Sequence, residues 1–243
     1  MAKGLPREDL RAAVEATEWY HTLELAPGVV TPGWQDTRAV AGRLPIPPSL
    51  AGRRCLDVGT FDGFWAFEME RRGAAEVLAV DIDDPEALDW PQSLRATTVK
   101  TLDETKAKRF ELAREALGSR VERHARSVYE LDTDLGLFDV VFCGDLLVHL
   151  KDPITAVERI RRVCRGRAVV CTPIISSRWS KRRVVAELDG IDEFQWWLFS
   201  LPALERLALA AGFARVEAAR PFDLPATGGG SWKGRRGVIV GHV

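Results

Sequence analysis

The chain alternates between short apolar runs and stretches with helical periodicity from Arg54 to its end. Seven runs have the length and composition of strands: Arg54–Val58, Glu76–Ile82, Val121–Val128, Phe138–Gly144, Ala168–Pro173, Ala214–Ala219 and Gly237–Val243, the last two flanking a loop with Gly228–Gly230. Four stretches have a helical pattern: Phe64–Arg72, Asp103–Leu117, Ile154–Val163 and Pro202–Ala211. Strands that alternate with helices build βαβ units with right-handed crossovers. The pattern therefore predicts an α/β fold with a mostly parallel seven-stranded sheet and helices on both faces.

The first fifty residues have a different pattern. Glu8–Tyr20 has helical periodicity, and the proline-bearing run 44–48 is typical of a connector. Three aromatic side chains give this region more apolar surface than a free tail would carry: Trp19, Tyr20 and Trp34. We predict an N-terminal cap over residues 1–50 and a main domain over residues 51–243. The cap is expected either to fold over the sheet edge or a ligand, or simply to pack as a helix on the core.

Composition and charge exclude several classes of protein. The 34 basic and 35 acidic residues give a net charge of −1, which provides no general attraction to nucleic acid or membranes. No apolar run approaches the ~20 residues of a membrane span, and the first residues lack the apolar core of a signal peptide. The four cysteines have no C-x-x-C spacing, which indicates buried, reduced thiols and no metal site. These features predict a cytoplasmic protein.

The loop after the first predicted strand carries the strongest candidate for a ligand site. It reads Asp57-Val58-Gly59-Thr60-Phe61-Asp62-Gly63. Open α/β sheets bind ligands beyond the carboxyl ends of their strands, and Gly59 and Gly63 allow a tight turn and close approach. The loop is one glycine short of the G-x-G-x-x-G phosphate fingerprint, and Asp57 and Asp62 add negative charge. A cationic or zwitterionic ligand is therefore favoured over the dinucleotide of an oxidoreductase.

An acid also ends the second predicted strand. Asp81 lies 22 residues after Gly59, close to the ~20-residue separation of the acid that binds a ribose in Rossmann-like folds. Its carboxylate can accept both hydroxyls of an adenosine ribose. Capping of the next segment is the alternative, but Asp83 and Asp84 are better placed for it. We predict that Asp81 binds a ribose.

These motifs resemble those of the class I S-adenosylmethionine-dependent methyltransferases. The apolar-Asp-x-Gly-x-x-x-Gly loop resembles their motif I, and residues 138–153 resemble their F-D-x-V-x…L-x-H-x-x-x-P segment. With Asp81, the matches cover Cys55–Pro153. The resemblance implies a Rossmann-like methyltransferase fold and S-adenosylmethionine as cofactor. It implies a cofactor site made of Trp34, Asp57, Gly59, Thr60, Gly63, Asp81, Ile82, Ser127, Val128 and Gly144.

The third strand end departs from that family. Ser127 stands where many relatives carry an acid beside the adenine. Backbone contacts from Ser127 and Val128 are less affected by this departure.

A narrower resemblance concerns the tRNA wobble-uridine methyltransferase/carboxymethyltransferase family. Trp19-Tyr20-His21, Thr31-Pro32-Gly33-Trp34 and the Leu-x-His segment are similar to that family. Its carboxymethylating members hold a carboxylated cofactor with a lysine near the N-terminal tryptophan and a Tyr-His-Arg triplet. Here the corresponding positions are His21 and Val148-His149-Leu150. We therefore predict ordinary S-adenosylmethionine, and the departure weakens the case for wobble uridine.

Methyl transfer needs alignment and sometimes a base. The sulfonium is already activated, so the protein mainly aligns an in-line displacement. An acceptor that must lose a proton needs a base with a pKa near the working pH, as histidine has. His149 is the candidate base, with Asp145 as its partner, and His21 is a second candidate. Packing or capping after strand four is the competing interpretation of His149.

The predicted insertion at about residues 174–199 is the candidate for acceptor selection. It contains four basic residues, Arg178, Lys181, Arg182 and Arg183, before the aromatic run Phe194–Phe199. Such a segment can bind anions or stack on bases. The alternative is a structural role, in which the basic residues form a solvated helix face and the aromatic residues form a strand that packs in the core.

We predict a small-molecule acceptor, a metabolite or a glycan hydroxyl. A tRNA acceptor would require a basic stripe that joins Arg178–Arg183 to Arg235 and Arg236, whereas a closed aromatic pocket beneath Trp34 and Trp196 would favour the small molecule. A non-catalytic cofactor-binding protein is the third alternative, against which the presence of Gly59, Gly63 and Asp81 argues.

Overall fold

The computed structural model describes residues 6–98, 105–191, 194–224 and 234–243. Its α-helices are α1 (Arg7–Glu15), α2 (Phe64–Arg71), α3 (Gln92–Thr98), α4 (Thr105–Leu117), α5 (Pro153–Val163) and α6 (Leu201–Ala210). Its strands are β1 (Glu24–Ala26), β2 (Val29–Val30), β3 (Arg54–Val58), β4 (Glu76–Asp81), β5 (Glu122–Ala125), β6 (Phe138–Gly144), β7 (Cys164–Pro173), β8 (Ala186–Leu188), β9 (Trp197–Phe199), β10 (Arg215–Asp223) and β11 (Arg235–His242).

The central sheet has seven strands in the order β10-β11-β7-β6-β3-β4-β5. Strands β3 to β7 pair in parallel, and β11 runs antiparallel between β7 and β10. This confirms the predicted mostly parallel sheet. The strand order reverses direction between β3 and β6, and such a switch point opens a crevice at the carboxyl ends of the strands.

Two apolar layers cover the sheet, which confirms the prediction of helices on both faces. One layer joins α1, α2 and α4 to side chains such as Val77 and Phe142, and the other packs α5 and α6 on side chains such as Val141 and Ile239. Proline at the first position and the Asp152 side chain, which accepts from the Thr155 N–H, begin α5. Within the described residues, no helix is long and apolar enough to cross a membrane.

The four cysteines are free and buried, and each lies on a strand of the central sheet. Burial raises the pKa of the Cys55 thiol to about 12 and that of Cys164 to about 11. The pKa values of Cys143 and Cys171 are also raised, again mainly by burial. All four thiols are therefore protonated at neutral pH.

Several boundaries differ from the prediction. Helix α1 ends at Glu15 rather than Tyr20, because the backbone at Trp19 and Tyr20 accepts hydrogen bonds from the N–H groups of Trp34 and Gln35. Strand β5 stops at Ala125 rather than Val128. Helix α3 and the two small hairpins, β1–β2 and β8–β9, were not predicted. The start of the predicted helix at Asp103 and the loop with Gly228–Gly230 lie outside the described residues.

Candidate active site

A cavity of about 490 Å³ lies at the carboxyl ends of the central strands, beneath the cap. That volume is ordinary for a small-molecule site. The predicted site residues that line it are Trp34, Asp57, Gly59, Asp81, Ile82, Val128, Gly144, Asp145 and His149. Thr60, Gly63 and Ser127 are not lining residues: Thr60 donates to Asp57, Gly63 precedes α2, and Ser127 caps the 3-10 helix Val128–Glu130. The residues that the motifs single out therefore converge on one place.

The loop after β3 is shaped by its glycines. Gly59 has a φ of +75°, and a Cβ there would lie 3.2 Å from the Leu146 side chain. Gly63 has a φ of +92°, and a Cβ there would lie 2.4 Å from the Phe67 ring. Gly59 thus lies on the cavity wall, whereas Gly63 is needed for the packing of α2.

Asp57 is buried at the base of this loop. Its carboxylate accepts a 2.8 Å hydrogen bond from the Thr60 hydroxyl, which explains the buried position of that threonine. Burial raises the pKa of Asp57 to about 7. A cationic ligand group beside Asp57 would favour its ionised form.

The Asp81 carboxylate is oriented by three donors. It accepts from the backbone N–H groups of Phe61 (2.8 Å) and Ile82 (2.7 Å) and from Lys106 Nζ (3.1 Å). An ionised carboxylate has about four acceptor sites, so a ribose that offers two hydroxyls must displace one donor or share a site. The Lys106 side chain can move without breaking backbone structure. No sequence motif indicates Lys106, because it lies on α4, 25 residues from Asp81.

The Ser127 side chain forms a hydrogen bond to the backbone and does not line the cavity. Its hydroxyl accepts from the Tyr129 N–H, and the Glu130 carboxylate accepts from the Ser127 N–H. This capping box begins the 3-10 helix Val128–Glu130, which is why β5 ends early. Val128 is the residue of this pair that lines the cavity.

Asp62 corrects one sequence interpretation. Its fully buried carboxylate faces the cap, where it accepts from the N–H groups of Tyr20 (3.0 Å) and His21 (2.8 Å) and bonds His21 Nδ1. The expectation that Asp62 adds negative charge toward the ligand is therefore wrong. His21 also stacks on Phe64, with ring centroids 5.3 Å apart, so this candidate base serves to join the cap to the loop.

Asp145 has a different partner from the one predicted. Its carboxylate accepts from Nε (3.0 Å) and Nη2 (2.9 Å) of Arg236, a 1 % exposed residue on β11. The carbonyl of Phe194 bonds His149 Nδ1 instead. Because a carbonyl only accepts, Nδ1 carries the proton and the lone pair is on Nε2. Burial lowers the pKa of His149, so the ring is neutral at pH 7.

The insertion closes the side of the cavity next to His149. Phe194 stacks on Trp90 with ring centroids 4.0 Å apart, and the Trp196 indole donates to the Asp89 carbonyl. Phe194 lines the cavity, whereas Trp196 anchors the insertion from outside it. The cavity therefore has an aromatic wall, but Trp196 is not one of the residues that form it.

Of the two β11 arginines in the predicted basic stripe, only Arg235 is exposed. Arg178, Lys181 and Arg182 are exposed, but Arg235 pairs with Asp223 at 3.7 Å and Arg236 is buried. Among the described residues, no group of three or more His, Cys, Asp or Glu side chains is arranged to hold a metal ion.

Comparisons with known proteins agree with this geometry. A sequence model of the methyltransferase domain matches residues 34–218. The tRNA U34 carboxymethyltransferase of Aeromonas salmonicida is 30% identical over 177 residues, which is 71% of this chain and 48% of that protein. The Pseudomonas aeruginosa (strain PAO1) enzyme is 30% identical over 167 residues, 68% and 46% of the two chains. The chain thus spans about half the length of these curated relatives.

Solved structures that contain SAH share the fold. The N-terminal domain of EvdMO1 with SAH bound has a TM-score of 0.67 at 18% identity, covering 100% of this chain and 99% of that one. The 1,6-didemethyltoxoflavin-N1-methyltransferase of Burkholderia thailandensis has a TM-score of 0.51 at 18% identity, covering 79% and 71%. These similarities confirm the predicted Rossmann-like fold.

Proposed function

Because this chain belongs to the methyltransferase-domain family, we propose that it transfers a methyl group from S-adenosylmethionine to an oxygen or nitrogen of a small-molecule acceptor. Residues 1–50 act as a cap over the site, and the insertion at 174–199 contributes one wall. The cavity fits the cofactor, since carboxylates stand where an adenosine ribose and a cationic group would bind. Asp81 and Val128 would hold the nucleoside, and Asp57 and Gly59 the amino-acid part.

The observation that carries the choice of a small acceptor is the burial of Arg236. Its guanidinium donates to Asp145 and to the Gly234 carbonyl, so it offers nothing to an external phosphate. A polynucleotide needs several cations on one surface, and the burial of Arg236 removes one of them from the predicted stripe. The acceptor instead enters a cavity lined by Tyr20, Trp65 and Phe142.

Known neighbours support a small acceptor. One structure of the EvdMO1 N-terminal domain was obtained with SAH and D-fucose, and the Burkholderia enzyme holds 1,6-didemethyltoxoflavin. The tRNA U34 carboxymethyltransferases support tRNA as the second candidate acceptor, and the exposed Arg178, Lys181 and Arg182 favour it.

The residues around the acceptor provide alignment and a base. When bound, the cofactor supplies a methyl group on a sulfonium, which leaves as a neutral thioether. His149 Nε2 would take the proton that the acceptor loses on methylation. The Phe194 carbonyl keeps the ring in the required tautomer. The aromatic walls exclude water from the reacting atoms.

The proposal is tested by calorimetric titration with S-adenosylmethionine, S-adenosylhomocysteine and the carboxylated analogue. The first two are expected to bind better than the third. Asp81→Ala should weaken S-adenosylhomocysteine binding at least tenfold. Asp84→Ala, at an exposed residue that begins the 3-10 helix Pro85–Ala87, should not. Preference for the carboxylated analogue would favour wobble uridine, and unchanged binding by Asp81→Ala would rule out the ribose assignment.

A further inference from the structure

We propose that Arg109 binds a carboxylate group of the acceptor, which is therefore a small organic acid. This inference rests on the proposed function and names the acceptor class. Arg109 is a half-buried residue of α4 that lines the cavity, one helical turn after Lys106. No sequence motif singles it out, and it has no part in the proposed proton transfer.

Arg109 has no counter-charge, in contrast to the other cations of the cavity. Among the described residues, four Lys and Arg side chains line the cavity, and three are paired with an aspartate: Lys106 with Asp81, Arg126 with Asp134 and Arg236 with Asp145. The fourth, Arg109, has neither an ion pair nor a hydrogen bond within the described ranges. A cation that is partly removed from water without a partner is costly, so an anionic ligand would supply what the protein does not.

The terminal nitrogens of Arg109 are the ones that a ligand can reach. Nε is buried, and it is the one nitrogen of this side chain that is both buried and unpaired. Nη1 and Nη2 also lack partners in the described part of the chain, so both keep accessible surface. Together they form the end of a planar fork, which binds a carboxylate through two parallel hydrogen bonds.

The Phe61 ring holds the guanidinium at the cavity wall. The Arg109 Cζ atom lies 5.6 Å from the centroid of that ring, within the range of a cation–π contact. Phe61 has a φ of +52°, which is unfavourable for a bulky residue. Its N–H bond to Asp81 and its ring contact with Tyr20, at 5.2 Å between centroids, keep it there. Backbone strain of this kind is typical of functional sites.

One unpaired guanidinium matches a single negative charge. A phosphate monoester carries about −1.5 to −2 charges at pH 7 and needs a second cation. Lys106 is the neighbouring cation, but the Asp81 carboxylate and the Ile82 carbonyl already hold it, at 3.1 and 3.2 Å. A neutral acceptor would leave the Arg109 charge without a partner. The contacts therefore favour a monocarboxylate over both.

The acids of the cavity do not neutralise Arg109. Five described acids line the cavity, and four of them accept hydrogen bonds from other groups of the protein: Asp57, Asp81, Asp89 and Asp145. The fifth, Glu18, is an exposed residue of the cap that bonds to no other described residue. Glu18 is thus the internal competitor that the test must include.

The proposed carboxylate site lies near the candidate base. Burial lowers the pKa of His149, and the charge of Lys106 adds to this effect, so this face of α4 is within electrostatic range of the ring. Both residues line the same cavity of about 490 Å³. An acceptor anchored at Arg109 can therefore direct its oxygen or nitrogen towards His149 and still be small.

The test uses benzoate and benzamide, two probes of the same shape of which only benzoate is charged. Each is titrated into the S-adenosylhomocysteine-saturated protein and followed by ligand-observed NMR. Benzoate is expected to bind roughly tenfold more tightly, as a charge-assisted pair allows. Arg109→Gln should reduce this preference below about twofold without lowering Tm, because it removes an unpaired charge.

Three further variants complete the test. Lys108→Gln is the matched control, because this exposed neighbour does not line the cavity, and it should preserve the preference. Arg109→Lys keeps the charge but loses the fork, so it should retain part of the preference. Glu18→Gln should leave the preference within about twofold of the wild type, since a weak surface pair contributes little.

Several outcomes would overturn the inference. Equal binding of the two probes, a preference that survives Arg109→Gln or is lost in Lys108→Gln, a lower Tm for Arg109→Gln, or tighter binding of phenyl phosphate than of benzoate would each do so. A preference that appears only in Glu18→Gln would show that Glu18 occupies Arg109. Binding of tRNA that Arg109→Gln and Lys108→Gln weaken equally would place Arg109 on a polynucleotide surface.

The cofactor provides the remaining distinction. If Arg109→Gln weakens S-adenosylhomocysteine binding about as much as benzoate binding, Arg109 holds the carboxylate of the cofactor and the inference fails. Failure of the wild-type chain to bind S-adenosylhomocysteine would sink the proposed function and this inference together. Cofactor binding without discrimination between the probes would sink the inference alone.

Discussion

Three carboxylates stand at the carboxyl ends of neighbouring strands, and each is held by a different kind of partner. Asp57 is bound by a hydroxyl, Asp81 by two backbone N–H groups and a lysine, and Asp145 by a guanidinium. Because each acid has a different kind of partner, the three are suited to different tasks. Burial raises the pKa of Asp57 to about 7.

Cofactor binding is expected to depend on the ionisation of Asp57. Ligands with a positively charged amino group should bind more tightly as the pH rises from 6 to 7, by up to about tenfold per pH unit, and level off above the pKa of about 7. Calorimetry with S-adenosylhomocysteine over this range measures the effect. Asp57→Asn should remove the dependence, and a wild-type affinity that does not vary with pH would contradict the assignment.

Asp145→Asn should destabilise the protein by about 3–5 kcal/mol, because it leaves the buried Arg236 charge unpaired. Backbone strain does not explain such a loss, since asparagine tolerates the φ of +49° at this position. Urea denaturation measures the change. The matched control is Asp223→Asn, which breaks an exposed pair with Arg235 and should cost about 1 kcal/mol or less. If the two variants lose the same free energy of unfolding, the buried ion pair contributes no more to stability than the exposed one.

His149→Ala is expected to lower kcat at least 100-fold, within the usual contribution of a general base, while leaving S-adenosylhomocysteine affinity within about twofold. Single-turnover methyl transfer, once an acceptor is known, separates the two effects. His124→Ala, an exposed histidine on β5, is the control. Normal turnover by His149→Ala would show that the His149 ring packs against its neighbours and is not the base.

For single residues, the sequence predicts which side chains lie near one another, but not the direction in which each side chain points. The motif spacing places Asp57, Gly59 and Asp81 on one wall. Asp62 belongs to the same motif yet faces the cap, and its partner His21 is 41 residues away. The Asp145 partner is 91 residues away on another strand. Such pairs depend on tertiary packing, which a local pattern does not contain.

Among the elements, the cap depends on one close approach between two of its own segments. A Cβ at Gly33 would lie 2.1 Å from the His21 carbonyl carbon and 2.4 Å from the Thr22 nitrogen. Both are backbone atoms, so no side-chain rotation relieves the clash. The segment that carries Trp34 to the cavity rim therefore requires glycine here.

Gly33→Ala should destabilise the cap by about 1–3 kcal/mol or more, as overpacking does. Faster proteolysis within residues 6–50 and a lower Tm are the expected readouts. Gly42→Ala is the control in the same region, since a Cβ there meets nothing within 4 Å. If both variants resist proteolysis equally, the close approach does not hold the cap.

Long elements were predictable and short ones were not. Strand β6 has the predicted bounds, because apolar side chains dominate its seven positions. The hairpin strands β1, β2, β8 and β9 have two or three residues each, too few to establish a period. Strand β5 was overestimated because Ser127 and Glu130 form a capping box that competes with the strand.

For the whole molecule, the alternation of strands and helices was enough to predict the parallel sheet. The positions of the cap and the insertion were not predictable from it. They depend on contacts between distant parts, such as Phe194 on Trp90 and Asp62 on His21, which join both appendages to the strand ends.

The pH dependence of overall stability should reveal two buried groups with opposite effects. The folded-state pKa of Asp57, about 7, lies above its unfolded value, so its contribution is full below pH ~4 and is lost as the pH rises through 7. The folded-state pKa of His149 is lowered, so its neutral burial costs stability as the pH falls below ~6.5.

The two effects are separated by Asp57→Asn. Relative to the wild type, this variant should gain about 1.4 kcal/mol per pH unit between pH 5 and 7, as measured by urea denaturation in the absence of ligand. His124→Ala again serves as the reference. A constant difference between wild type and Asp57→Asn over this range would mean that Asp57 titrates normally.

The burial of all four thiols also makes the chain convenient for site-directed labelling. Protonated sulfurs inside the sheet react poorly with maleimides, so the native protein should remain unmodified while folded. A cysteine introduced at Trp34, which is 51 % exposed at the cavity rim, would then be the single attachment point for a fluorophore. Such a reporter would read closure of the rim around a ligand without any need for a cysteine-free background.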